Sequence, residues 1–224
     1  MTIMNFQSQD LAGAYFTLPQ HIPFQDFFEP DQPVWEWVDA IQIALQSFDF
    51  LPQENVRHSR PGLVIDENVF IHPSVELPAY GVIQGPTWIG PETVLRPGVF
   101  IRGNVIVGQK CVLGHACEYK NALLMDEVET AHFNYIGDSI LGSRSHLGAG
   151  AIIANVRLDR KNVRVHLPSG SYATNRKKFG AILGEGVEVG CNAVLQPGTI
   201  AAKNACILPC QPTRGFVAAA ASNG

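Results

Sequence analysis

The sequence lacks an apolar run long enough to span a lipid bilayer, although 46% of its 224 residues are hydrophobic. Residues 1–6 also lack the basic and apolar regions of a secretory signal. With a net charge of −4, the chain has no excess of basic residues for binding nucleic acid or a membrane surface. These absences predict a soluble cytoplasmic protein without a nucleic-acid or membrane partner.

Cysteine is scarce as well. The five cysteines are odd in number, and none forms a Cys-x-x-Cys motif. Cys111 and Cys117 lie six residues apart, which predicts that they occupy different faces of the repeating coil described next. We interpret all five as reduced thiols, as expected in the cytoplasm.

Branched aliphatic residues occupy nine consecutive sixth positions: Ile65, Ile71, Leu77, Ile83, Ile89, Leu95, Ile101, Val107 and Leu113. A six-residue step turns an α-helix by about 600° and would scatter these side chains. An ordinary strand predicts a period of two, which is absent. The spacing therefore predicts an all-β parallel β-helix of hexapeptide repeats rather than a β-sandwich. Three hexads form one coil, so residues 18 apart stack at about 4.8 Å.

The repeat divides the chain into three predicted parts. Residues 1–62 form a helical N-terminal cap and linker, residues 63–211 the β-helix, and residues 212–224 a frayed tail. Loop insertions are predicted near 119–140 and 156–181, and the second should contain a protruding hairpin. The helix should begin near Asp31 and Pro33 and bury the stripe Val34, Val38, Ile41, Leu45 and Phe48. We expect it to cover the open end of the β-helix, although a helix that docks a partner is an alternative.

Two cations and a histidine are the first candidates for chemistry. Arg102 and Lys120 are 18 residues apart, so a regular coil stacks them about 5 Å apart, which favours a phosphate between or beside them. The alternative is a solvated pair of surface cations. His132 lies in the first predicted insertion with Tyr135 nearby, and its imidazole can accept a proton near neutral pH. The alternative is a structural histidine.

Several separated motifs then occur in a fixed order. They are Glu118-Tyr-Lys120-Asn-Ala, Ala131-His132-x-x-Tyr135-Ile-Gly-Asp138, His146-Leu-Gly-Ala149-Gly150, Ala154-Asn155, and Lys177-Lys178-Phe-Gly-Ala-Ile-Leu-Gly. Over residues 85–210 the chain thereby resembles the acetyltransferase half of the bifunctional N-acetylglucosamine-1-phosphate uridyltransferase/glucosamine-1-phosphate acetyltransferase family. The resemblance implies a left-handed β-helix, acetyl-CoA as co-substrate, a homotrimer, and acetylation of an amino-sugar 1-phosphate, most simply glucosamine-1-phosphate.

The resemblance also implies roles for ten residues. His132 corresponds to the general base, and Glu118 to the acidic residue that orients or tunes it. The implied substrate contacts are Arg102, Lys120, Tyr135, Asn155 and Lys178. The implied acetyl-CoA contacts are His146, Ala149 and Cys191. No residue is predicted to bind a metal.

The chain also departs from the family pattern. His146 replaces the usual Asn, Val156 the usual Tyr, and Cys191 the usual Ser. The loop between Asn155 and Lys178 is longer than in the common bacterial enzyme and is closer to the archaeal sugar-1-phosphate nucleotidylyltransferase/acetyltransferases. Residues 1–60 contain nothing like the Gly-rich nucleotide loop, so we expect no uridylyl transfer by this chain.

Three other functions stay open at this point. A γ-type carbonic anhydrase would bind zinc through histidines, for which His115, His132 and His146 are candidates. A regulatory or scaffold solenoid would explain the departures at His146 and Val156. An acyltransferase could also act on another substrate, such as a nucleotide-linked amino sugar.

Overall fold

A computed structural model describes residues 6–51 and 61–219. The N-terminal segment contains 3₁₀ turns at Ser8–Asp10, Ala12–Ala14, Gln25–Phe27 and Val34–Glu36, followed by helix α1 at Trp37–Ser47. Strands β1 to β22 are Leu63–Ile65, Val69–Ile71, Gly81–Gln84, Thr87–Ile89, Val94–Leu95, Val99–Arg102, Val105–Val107, Val112–His115, Glu118–Leu124, Glu129–His132, Tyr135–Leu141, His146–Leu147, Ile152–Ile153, Arg164–Leu167, Gly170–Ala173, Ala181–Leu183, Glu188–Val189, Val194–Leu195, Thr199–Ala201, Cys206–Ile207, Pro212–Thr213 and Phe216–Val217.

The strands wind into a parallel β-solenoid that matches a left-handed β-helix, which confirms the predicted fold class. The first face carries β1, β3, β6, β13, β18 and β21, together with the first halves of β9 and β11. The second face carries β2, β4, β7, β16, β19 and β22, with the second halves of β9 and β11. The third face carries β5, β8, β10, β12, β17 and β20. All nine aliphatic residues of the predicted hexads belong to the buried core or pack against it.

The predicted loop near residues 119–140 is wrong, because these residues form the long strands β9 and β11 within the coil. Glu118 pairs with Phe100, 18 residues earlier, whereas Ala122 pairs with Val105, only 17 residues earlier. The corner after β6 uses two residues with positive φ, Gly103 and Asn104, but β9 turns on Asn121 alone. The coil is therefore one residue shorter, and the hexad phase shifts although the solenoid continues.

Two polar residues inside the core also interrupt the aliphatic six-residue pattern of the sequence. Tyr119 and Thr130 occupy positions that aliphatic side chains fill in other coils, and both are fully buried. The Tyr119 hydroxyl lies 2.6 Å from Oγ1 of Thr130, so the two polar groups satisfy each other. The coil therefore stays regular here, although neither inward position is aliphatic in the sequence.

The predicted N-terminal helix is present, but its predicted location is wrong. Val34, Val38, Ile41 and Leu45 are buried as the stripe predicts. However, α1 contacts β7, β9 and β11 in the middle of the solenoid rather than its open end. The second face explains this position, because its outward side is apolar in successive coils at Trp88, Ile106, Leu123, Ile140, Ile182 and Ile200. Covering that surface removes far more apolar area from water than covering a single coil end.

The second predicted insertion does contain a hairpin, formed by the antiparallel strands β14 and β15. It does not protrude as predicted, because Val163, Val165 and Leu167 pack into the same cluster as Ile182 and Ile200. The buried carboxylate of Asp10 accepts hydrogen bonds from the hydroxyls of Ser169 and Tyr172 and so ties the N-terminal segment to the hairpin.

The solenoid also continues beyond its predicted end at residue 211. Strands β21 and β22 pair with β18 and β19, so residues 212–217 belong to the coil rather than to a frayed tail. Residues 52–60 of the predicted linker and residues 220–224 of the predicted tail lie outside the described part of the chain. All five cysteines are free thiols, and Cys111 and Cys117 precede strands on different faces, as predicted.

Cys111 allows a test of core packing at high pH. Burial raises the pKa of its thiol from 9.0 to about 12. Below pH 9 the thiol is protonated in both the folded and the unfolded protein. Between pH 9 and 12 only the unfolded chain ionises, so this group should lower the free energy of unfolding by up to about 1.4 kcal/mol per pH unit.

We expect Cys111→Ala to flatten the fall in the free energy of unfolding above pH 9, measured by urea titration at each pH. Cys206→Ala is the matched control because Cys206 is exposed. If the profiles of Cys111→Ala and the wild type run parallel, the thiol is not buried as described.

Candidate active site

Three predicted residues line one corner of the solenoid, where the third face turns into the first. His132 is the last residue of β10 and is exposed. The amide of Gly150 donates to the carbonyl of His132 at 3.0 Å, and that of Asn192 donates to the carbonyl of Ala149 at 2.9 Å. The corner therefore stacks His132, Ala149 and the exposed Cys191 in successive coils, which places the predicted base beside two of the predicted acetyl-CoA contacts.

The ring of His132 is available to a ligand. Its nearest aromatic neighbour is Phe133, with ring centroids 6.3 Å apart. Across residues 6–51 and 61–219, no side chain or backbone group hydrogen-bonds to this ring. Both ring nitrogens can therefore meet a substrate or water.

The third predicted acetyl-CoA contact lies away from this corner. His146 belongs to β12 on the third face, in register with Glu129 and Glu188. Its Nδ1 atom is 2.9 Å from Oε2 of Glu188. The structure therefore does not bring His146 together with His115 and His132, and the described residues contain no cluster of three His, Cys, Asp or Glu side chains arranged as metal ligands.

Arg102 and Lys120 are neighbours across β6 and β9, as the 18-residue spacing predicts, but each already has a carboxylate partner. Nη1 of Arg102 donates to Glu118 at 2.7 Å, and Nζ of Lys120 lies 3.4 Å from Oδ1 of Asp138. This hydrogen bond to Glu118 raises the pKa of Arg102. The Glu118 carboxylate thus contacts Arg102 and not the ring of His132, which it was predicted to orient.

Asp138 is the centre of the polar cluster on the first face, a role that the sequence analysis missed. Its side chain is only 6% exposed and accepts hydrogen bonds from Lys120, Asn121 and Asn155. A φ of +51° turns the chain at this residue. The only signal in the sequence was its place at the end of the Tyr135-Ile-Gly-Asp138 motif.

Tyr135 and Asn155 meet beside Asp138. The amide of Asn155 donates to the Tyr135 hydroxyl oxygen at 3.2 Å, which leaves the hydroxyl proton available to a ligand. Burial, followed by the charge of Asp138, raises the pKa of Tyr135. Gly137 makes room for this contact, because a Cβ there would lie 2.7 Å from the Tyr135 hydroxyl and 2.8 Å from the Asn155 amide.

Lys178 lies at the end of the insertion, where the chain comes back beside Asn155. Val156 and Lys178 form an antiparallel bridge, and the Phe179 amide donates to the carbonyl of Asn155 at 2.9 Å. Lys178 and Lys120 line one cavity of about 300 Å³ at the corner between the first and second faces. The structure therefore brings Lys120, Asn155 and Lys178 together at one end of the first face and places His132 before the other end. Tyr135 begins the strand between them and reaches Asn155 through its hydroxyl.

The GMPPB C-terminal domain family matches residues 83–207, which is more than half of the chain. The chain belongs to this family. The region contains His132 and every residue of the polar cluster described above. The matched region begins at residue 83, so α1 lies outside it.

Curated relatives confirm the resemblance seen in the motifs. The bifunctional sugar-1-phosphate nucleotidylyltransferase/acetyltransferase of Sulfurisphaera tokodaii is 30% identical over 73% of this chain and 40% of its own length. The bifunctional protein GlmU of Methanococcus vannielii is 32% identical over 65% of this chain and 35% of its own length. The match therefore covers well under half of each relative.

Solved structures add only weak similarity. An Arabidopsis UDP-N-acetylglucosamine acyltransferase is 15% identical over 66% of this chain and 58% of its own, with a TM-score of 0.38. This value is too low to support an argument about function. Among the described residues, no helix is both long and apolar enough to cross a membrane.

Proposed function

We propose that this chain transfers an acetyl group from acetyl-CoA to the amine of an amino-sugar 1-phosphate, with glucosamine-1-phosphate as the first candidate. One observation carries the proposal: an exposed histidine and a cluster of cations occupy the two ends of the same face. The strand residues between them span roughly 10 Å, at about 3.3 Å per residue, which suits the length of a sugar phosphate. A relative named as a bifunctional sugar-1-phosphate nucleotidylyltransferase/acetyltransferase supports the same reaction.

The proposed step is direct attack of the sugar amine on the thioester carbonyl. The nitrogen forms a bond to the carbonyl carbon, the carbon–sulfur bond breaks, and CoA leaves as a thiolate that takes up a proton from solvent. His132 accepts the proton that the attacking nitrogen loses, since its exposed ring nitrogens have no competing partner among the described residues. Tyr135 and Asn155 orient the sugar, while Lys120 and Lys178 bind its phosphate.

The direct experiment is a thiol-release assay with acetyl-CoA. Glucosamine-1-phosphate, galactosamine-1-phosphate, the two free amino sugars and a nucleotide-linked amino sugar are compared at equal concentration. Thiol release that requires the 1-phosphate supports the proposal. Thiol release only with the nucleotide-linked sugar would identify that sugar as the substrate instead. No thiol release with any acceptor would favour a scaffold role.

Lys120→Ala should raise KM for the phosphorylated sugar by about 10- to 150-fold, because a charge-assisted contact to phosphate is lost. KM for the corresponding free amino sugar should change little. Initial-rate kinetics on both acceptors give the comparison, and Lys203→Ala is a control at a lysine that pairs with Glu185 elsewhere. Unchanged kinetics in Lys120→Ala would contradict the phosphate assignment.

We also propose a homotrimer. Apolar side chains on and beside the first face remain open to solvent, namely Val64, Phe133, Val194 and Leu208. A self-associating surface explains them, and closed cyclic symmetry is the usual arrangement. Light scattering should give three times the monomer mass of 24.4 kDa. A particle of the monomer mass would refute this assembly.

A further inference from the structure

The cavity that holds Lys120 and Lys178 has a wall that the solenoid does not provide. Helix α1 lies over the corner between the first and second faces and contributes Asp39 and Gln42 to the lining. The insertion contributes Arg176. Because the family match begins at residue 83, α1 lies outside the matched part of the chain.

A salt bridge holds this wall in place. Nε of Arg176 donates to Oδ2 of Asp39 at 3.0 Å, and a second nitrogen of the same guanidinium contacts the other carboxylate oxygen. The Arg176 side chain is 18% exposed. The bridge therefore joins α1 to the insertion beside the cavity. The charges of Arg176 and Asp39 neutralise each other.

The other charged residues that line the cavity carry one more positive than negative charge. Lys120 is balanced by Asp138, whose oxygens also accept from Asn121 and Asn155. Lys178 also lines the cavity and has no carboxylate partner in the described part of the chain. With Asp138 already fully engaged, the unbalanced cation favours an anion at this end of the cavity.

Gln42 offers an uncharged donor to the same anion. The residue is exposed, and its side chain makes no hydrogen bond within residues 6–51 and 61–219. A volume of about 300 Å³ lies at the lower limit of ligand sites and suits a phosphate with part of a sugar rather than a nucleotide. Arg102 does not line this cavity, since its guanidinium is bound to Glu118.

We propose that α1 completes a phosphate pocket, in which Lys178 supplies the unbalanced charge and the Gln42 amide donates a hydrogen bond to a phosphate oxygen. The pocket rests on the proposed function for its ligand, the phosphate of an amino-sugar phosphate. Gln42 is then a specificity-determining residue contributed by a segment outside the part that the family model matches. The phosphate lies under α1 rather than between Arg102 and Lys120.

The test compares Gln42→Ala with Gln46→Ala, a matched control one turn further along the same exposed side of α1. Binding of inorganic phosphate is measured by calorimetry, and KM is measured for the sugar 1-phosphate and for the free sugar. We expect Gln42→Ala to weaken phosphate binding and raise KM for the phosphorylated sugar about 10-fold. KM for the free sugar and all values for Gln46→Ala should stay within about twofold.

The outcomes separate this pocket from the proposed reaction. Equal phosphate affinity in the wild type and Gln42→Ala, or no phosphate binding at all, overturns the pocket even if acetyl transfer is observed. Loss of phosphate binding in Gln42→Ala without acetyl transfer to any amino sugar supports the pocket and refutes the reaction. Thermal unfolding of both variants shows whether α1 remains docked, and Gln42→Asn should retain part of the phosphate affinity if the amide is the donor.

Discussion

His132→Ala should lower kcat for acetyl transfer by about 10²- to 10⁴-fold, the usual contribution of a general base. The reason is that an amino sugar is mostly protonated at neutral pH, and an ammonium has no lone pair to attack a thioester. His132 is exposed at the corner of the solenoid, and its ring has no hydrogen-bond partner within the described residues. Affinity for acetyl-CoA should stay within a few fold, because the change removes a base and leaves Ala149 and Cys191 in place.

Steady-state kinetics over a range of pH give the second readout for this variant. In the wild type, kcat/KM should rise with pH, and His132→Ala should lose part of this rise because the base is missing. The titration of the substrate amine overlaps and is measured separately on the free sugar.

Two other histidines are controls for this prediction. His115 lies one coil away in register with His132, and its Nδ1 is 2.7 Å from the carbonyl of Pro97. His146 is paired with Glu188 on the third face. We expect His115→Ala and His146→Ala to retain most of the turnover. Loss of turnover in His146→Ala with retention in His132→Ala would assign the base to the other histidine.

Asp138→Ala should produce the largest loss of stability among single changes in the polar cluster. The carboxylate is almost fully buried and accepts from Lys120, Asn121 and Asn155. Removing it leaves two amides and an ammonium without their acceptor, so the free energy of unfolding should fall by about 3 kcal/mol. KM for the sugar phosphate should also rise, because Asn155 and Lys120 lose the group that positions them.

Urea unfolding of three variants tests this role of Asp138. Asp138→Asn keeps the shape and one acceptor oxygen, so its loss should be intermediate. Asp159→Ala is the control, since Asp159 lies exposed on the loop, where it pairs with Arg157 and accepts a hydrogen bond from the amide of Lys161; it should unfold close to the wild type. Equal stability of Asp138→Ala and Asp159→Ala would show that the cluster does not depend on this carboxylate.

The sequence was most informative where one physical cause dominates the pattern. In residues 65–113 the inward position of each hexad is filled by an aliphatic residue, so the coil is visible as a period of six. The same reasoning failed at residues 119–140, where the corner at Asn121 is one residue shorter and Tyr119 pairs with Thr130 inside the core. A change of one residue in a corner leaves the coil intact but removes the period that identifies it.

The site shows the same division. Spacing by 18 residues correctly made Arg102 and Lys120 neighbours, because backbone register alone sets that distance. It did not show that Glu118 and Asp138 neutralise them, since side-chain pairing depends on which rotamers and corners bring a carboxylate within reach. The contribution of α1 to the proposed phosphate pocket was not predictable either, because Gln42 and Lys178 are distant in sequence and line one cavity only after α1 has docked.

By itself the sequence determined the solenoid, the amphipathic helix, the hairpin and the row of motif residues, because each follows from local periodicity or from residues a whole coil apart. Only the tertiary structure decided that α1 covers the second face instead of the open end, and that the hairpin packs on the same face instead of protruding. That choice depends on the summed apolar area of Trp88, Ile106, Leu123, Ile140, Ile182 and Ile200, which strand pairing assembles from separate coils into one surface. No local segment of the chain contains that surface, and for this reason it appears only once the coils are stacked.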